Sequence, residues 1–179
     1  MIRDKKIILQ DVDFVNIIED ILANEKVQEM KKYRQHHKIN CLDHCLFVSY
    51  NAYIICKKHD LDYISTARAA MVHDLFLYDW RKRENGRKGL HAFTHPHRAL
   101  EIASSFLELN DKEKDIILKH MWPVTFFQFP KYRESFIITI MDKLSALKSF
   151  HDYLYNSVCK KKFYRYAYLF LIGLVFRVF

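Results

Sequence analysis

The sequence predicts an all-α fold, a compact single-domain helical bundle of about six to eight helices. Half of its 179 residues are hydrophobic, enough to bury one substantial core. Only three glycines and three prolines interrupt the chain, whereas sheet proteins need frequent turn residues. Apolar residues recur at helical spacing in segment after segment, and polar capping residues bound several of these segments.

The N-terminal residues Met1 to Leu9 mix charge with a short apolar run and lack the long apolar centre of a signal peptide. Asp11 or Asp13 can cap a helix reaching about Asn24, with Phe14, Ile17, Ile18, Ile21 and Leu22 as its apolar stripe. A polar connection containing Gln35, His36 and His37 leads to a helix over Cys41 to His59. Phe47, Val48, Ala52 and Ile55 share one face of it, and His44 lies on that apolar side. Asp62 caps the next helix, whose face of Thr66, Ala69, Ala70 and His73 permits close approach and delivers His73 and Asp74 inward.

From Asp79 to Thr94 a polar stretch with Gly86, Gly89, Arg81, Lys82, Arg83, Arg87 and Lys88 reads as an exposed loop. Pro96 suits the first turn of the helix that follows, which continues through Ala99, Leu100, Ile102, Ala103 and Phe106 and places His95 at its entrance. Asn110 and Glu113 form a capping-box pair opening a short helix on which Ile116, Ile117 and His120 share a face, and Pro123 ends it. After an aromatic connection from Trp122 to Tyr132, a helix runs from about Arg133 to Phe150 with Ser135, Ile138, Thr139, Asp142, Ser145 and Ala146 aligned. Residues 36–150 make the core of the expected domain and 151–179 a C-terminal helical extension. The nearly apolar Tyr166 to Phe179 is shorter than the roughly 20 residues of a membrane helix, so a packed terminal helix and no transmembrane segment are expected.

The four cysteines form no CxxC pair and follow no secretion signal, which points to a reduced, cytoplasmic protein. A net charge of +8 attracts a polyanion or a phosphorylated small molecule and does not choose between them. Ten histidines are many for this length, and His44, His73 and His120, with Asp142, fall on helix faces that look inward. A buried ionised carboxylate needs a partner. Divalent metal answers that need, because imidazole nitrogen and carboxylate oxygen are its usual ligands in hydrolytic enzymes. One inward histidine is more often a hydrogen-bonded core residue than a ligand; the ordered combination is what points to metal.

That combination consists of Asp43-His44, Ala70-Met71-Val72-His73-Asp74, Thr94-His95-Pro96, Lys119-His120-Met121-Trp122-Pro123 and Met141-Asp142-Lys143. Over roughly residues 36 to 150 it resembles the HD superfamily of metal-dependent phosphohydrolases. The resemblance implies that His44, His73, Asp74 and Asp142 hold one metal, and that His95 and His120 complete a second site shared through Asp74. It implies two divalent ions (iron, manganese, zinc, nickel or magnesium) and cleavage of a phosphoester or phosphoanhydride of a nucleotide or other small phosphorylated substrate by metal-activated hydroxide. Asp74 and Lys143 are the expected catalytic groups, with Lys143, Arg81 and His91 as substrate contacts and His36 and His97 in second rank. His97 should point away from His95 and stay exposed. The chain departs from the HD-GYP branch, because Leu75-Phe76-Leu77 follows the pair, Met121 replaces a second histidine and no Gly-Tyr-Pro occurs. It is more similar to small bacterial HD proteins. The rival readings are a degenerate HD fold that binds without turnover, and a basic nucleic-acid module using Lys160 to Tyr168.

Overall fold

The computed structural model of the chain describes residues 5–36, 39–82 and 89–155. The expected terminal helix over 166–179, the basic tail from Lys160 to Tyr168, His37, Cys159 and the Arg83 to Lys88 part of the basic loop lie outside these residues. Eight α-helices occur among the described residues: α1 (Lys5–Ile8), α2 (Val12–Ala23), α3 (Glu25–Glu29), α4 (Cys41–Lys58), α5 (Tyr63–Val72), α6 (His91–Ser104), α7 (Asp111–Lys119) and α8 (Arg133–Leu154). The fold class is all-α, as the sequence predicts.

Capping chemistry sets the helix starts. Asp11, not Asp13, caps α2 by accepting from the Phe14 amide, and Phe14, Ile18 and Ile21 then fall on the buried side. Asn40 caps α4 and Asp62 caps α5 in the same way. Asn110 and Glu113 close a reciprocal capping box on α7. Replacing Asn110 by alanine should cost about 1 kcal/mol, which thermal unfolding would report as a fall of roughly 2–4 °C.

Helix α5 occupies the centre and packs against α2, α4, α6, α7 and α8. Its small side chains allow this: Ala67, Ala69 and Ala70 are fully buried, and the Ser49 hydroxyl of α4 donates to the Ala67 carbonyl at 2.8 Å. Phe14 from α2 fills the other side against Tyr50 and Tyr53, with ring centroids 5.0 and 5.2 Å away. The end of α5 is therefore surrounded by helices on several sides, and His73 and Asp74 sit there.

Three local expectations need correction. The polar connection before α4 contains a small antiparallel ribbon, β1 (Arg34–His36) and β2 (Ile39–Asn40). Helix α6 begins at His91 rather than at Pro96, so the proline lies inside it and His95 is not at its entrance. Its first turn closes before the proline intervenes, because the Leu90 carbonyl accepts from the Phe93 and Thr94 amides and the Thr94 hydroxyl. Gly89 permits this entry: its φ is +86°, and a Cβ there would meet the Thr94 methyl at 2.9 Å. Finally, α8 extends past Phe150 to Leu154.

Candidate metal centre

Five helices bring the six expected ligands together, two of them through the residues at their C-terminal ends. His44 comes from the first turn of α4, His73 and Asp74 from the end of α5, His95 from α6, His120 from the end of α7 and Asp142 from the middle of α8. All six are buried, with Asp142 the most exposed at 9%.

Asp74 stands between two groups. Its Oδ2 lies 3.4 Å from His44 Nε2 and 3.4 Å from His73 Nε2, and Asp142 Oδ1 lies 3.2 and 3.9 Å from the same two nitrogens. Its Oδ1 lies 3.1 Å from His95 Nε2 and 3.5 Å from His120 Nε2. Within the set His44, His73, Asp74 and Asp142, and within the set Asp74, His95 and His120, potential ligand atoms are all within 4.8 Å of one another.

The outer nitrogens fix what the inner ones can do. His73 Nδ1 donates to the Ala70 carbonyl at 2.7 Å, His95 Nδ1 to the His91 carbonyl at 2.8 Å and His120 Nδ1 to the Ile117 carbonyl at 2.8 Å. In that tautomer a neutral ring presents a lone pair, not a proton, at Nε2. The Nε2 atoms of His95 and His120 stand 2.9 Å apart, and His73 Nε2 and Asp74 Oδ1 are buried without a hydrogen-bond partner. Lone pairs and carboxylate oxygens facing one another in a dry site repel unless a cation lies among them. Imidazole nitrogen and carboxylate oxygen are the donor set that first-row divalent ions accept, so the residues fit the metal.

Without that cation, protons take part of the load. Burial alone would lower the His44 pKa, but Asp142 and Asp74 raise it to about 9. Burial pushes the Asp74 carboxyl up, and His73, followed by His120, His44 and His95, holds it well below the usual carboxylate range. Asp142 is likewise held low against its burial by His44 and His73. Burial, with help from His73 and His95, lowers His120 to about 4 against the pull of Asp74, so its ring stays neutral and able to ligate.

The expected substrate contacts are less uniform. Lys143 lies beside the centre, donating to the His120 carbonyl at 2.8 Å and to Asp142 Oδ2 at 3.4 Å. Arg81 is exposed and forked onto Asp79, at 3.1 and 3.3 Å. His91 supports His95 rather than facing the centre: its carbonyl accepts from His95 Nδ1, and the two rings stack at 4.4 Å. His97 is exposed and outside the site, as its helix phase predicts.

Two supporting residues have no role at the site in the sequence reading. Gln35 of β1 donates its amide to Asp74 Oδ2 at 2.5 Å, and the Ser145 hydroxyl lies 3.2 Å from His44 Nδ1. Gln35 carries no sequence signal, because its reach depends on the ribbon. Ser145 did have one: it stands three residues after Asp142, on the same face of α8.

The family model for the HD domain matches residues 41–147, more than half of the chain, and the match spans all six candidate ligands. No curated protein and no solved structure matches the chain significantly.

Proposed function

The chain belongs to the HD domain family of metal-dependent phosphohydrolases, and from that premise we propose that it hydrolyses a phosphoester or phosphoanhydride of a small phosphorylated substrate, a nucleotide being the favoured class, at a centre of two divalent ions. The carrying observation is the division of Asp74, whose Oδ2 faces one ligand group and whose Oδ1 faces the other.

His44, His73, Asp74 and Asp142 would hold one ion, and Asp74, His95 and His120 the other. Bound there, the ions supply Lewis acidity toward water and toward phosphate oxygens. Asp74 joins the two positions and fixes their relation to each other. Lys143 directs two of its three N–H donors to the His120 carbonyl and to Asp142, which leaves one for a phosphate oxygen as charge develops on it. The helices exclude bulk water from the ligand side, which strengthens each of these interactions. A degenerate binding fold is the weaker reading, because loss of activity commonly removes ligands and this set is complete.

Metal analysis of the protein purified without chelator, followed by assay on a panel of nucleotides, dinucleotides and simple phosphoesters, tests the proposal. Two ions per chain and metal-dependent phosphate release are expected. His120→Ala should retain one ion and lower kcat/KM about 10²- to 10³-fold. Metal-free wild type would sink the proposal, and a His120→Ala protein that keeps both ions would sink the two-site assignment.

A further inference from the structure

A cleft of about 380 Å³ opens beside the metal centre, lined by Arg34 and Gln35 of β1, Trp80 and Arg81 from the segment after Asp74, and Ser149 and Phe150 of α8. Its size falls within the range of small-molecule sites. It adjoins the centre in two ways: Gln35 donates to Asp74 Oδ2, and Ser149 lies seven residues after Asp142, on the same helix face. Seven residues span on the order of 10 Å along a helix axis, a separation that a nucleoside phosphate can bridge and a bare phosphate cannot.

The lining is built rather than incidental. Leu77 takes a φ of +50°, an uncommon conformation for a bulky residue. Three residues further on, the Trp80 indole N–H donates to the Arg34 carbonyl at 3.1 Å. The same indole stacks on His91, with ring planes 14° apart and centroids at 5.4 Å, and His91 in turn backs the ligand His95. The indole is thus held at both an edge and a face before any ligand arrives. Phe150 adds a second ring, 54% exposed.

Two polar atoms in this lining lack partners. The Ser149 hydroxyl is buried, its residue only 8% exposed, and makes no hydrogen bond. Gln35 spends its amide N–H on Asp74, which leaves its Oε1 buried and unsatisfied. A buried donor or acceptor without a partner is costly, and both of these lie in the wall of a cleft that a polar-edged ligand can fill. Arg34 and Arg81 place positive charge at the same site, Arg81 already held by Asp79.

We propose that this cleft is the subsite for the planar base of a nucleoside phosphate whose phosphate sits at the metal centre. Trp80 and Phe150 supply the stacking surfaces, and the Ser149 hydroxyl and Gln35 Oε1 bond the polar edge of the base or the ribose. The inference rests on the hydrolase reading for the position of the phosphate and adds to it the residues that select the substrate.

The test compares adenosine 5′-monophosphate with ribose 5-phosphate on the metal-loaded protein, reading the dissociation constant, or KM if the ligand is turned over. Base stacking on an aromatic residue is strong enough to predict at least about ten-fold tighter binding of the nucleotide. Trp80→Ala and Phe150→Ala should each reduce that preference several-fold, and Phe150→Ala should leave ribose 5-phosphate affinity unchanged. Phe150→Ala is the cleaner variant, since Trp80 also braces His91, and metal content checks that both variants keep the centre. Equal affinity for the two ligands in wild type, or a preference untouched in both variants, overturns the subsite. A protein that prefers the nucleotide yet releases phosphate from nothing in the panel overturns the hydrolase reading instead, so the two failures are distinguishable.

Discussion

Asp74→Ala is expected to empty both metal positions at once and to lower kcat/KM by about 10³-fold or more. No other single ligand substitution should do this, because among the described residues no other candidate ligand belongs to both groups. Its Oδ2 lies 3.4 Å from each of His44 and His73 Nε2, and its Oδ1 lies 3.1 and 3.5 Å from His95 and His120 Nε2. Removing the carboxylate takes a charged ligand from each set and leaves three imidazoles whose outer nitrogens still donate to backbone carbonyls. Those rings stay oriented by their helices, so circular dichroism should report an intact helical fold. Asp74→Asn separates charge from shape: it keeps the volume and loses the negative charge, and should lower metal content nearly as far. Retention of one full ion by Asp74→Ala, measured by elemental analysis, would show that the two sets do not share this residue.

How much of this could be foreseen depended on where the signal lay. Asp62 and Asn110 declared their helices because capping is local: side chain and amide are three residues apart. His73 and Asp74 were legible because they end a helix with a face of small residues, Thr66, Ala69 and Ala70, all of them fully buried. The ribbon of Arg34–His36 with Ile39–Asn40 was not, since no alternation of apolar residues marks it. Pro96 misled, because proline is commonest in the first helical turn, and here the Leu90 carbonyl and Gly89 begin the helix one turn earlier. Gln35 was invisible as a partner of Asp74, 39 residues away, because a contact of that kind exists only after the chain has folded. His91, expected at the substrate, has the neighbour His95, whose ring stacks on it at 4.4 Å.

The stabilisation that metal confers should grow as the pH rises. In the metal-free protein His44 is raised from its ordinary 6.5 to about 9 by Asp142 and Asp74, so the proton it carries stabilises the fold fully below about pH 6.5. That contribution is lost as the pH rises through about 9. Asp74 and Asp142 are held low, so their contribution is present above the ordinary carboxylate value and is lost only in strong acid. Metal-free protein should therefore melt at lower temperature at pH 9.5 than at pH 6.5. A divalent ion competes for the same His44 lone pair and must displace that proton, so its affinity increases as pH rises across this window. At an ion concentration about 1,000 times the dissociation constant the gain is about 4 kcal/mol, or roughly 8–16 °C in Tm for a domain of this size. The difference in Tm between metal-loaded and chelator-treated protein should consequently widen from pH 6.5 to pH 9.5. Thermal melts of both forms across that range check it, and a difference that narrows with rising pH would mean that the ion does not bind through His44.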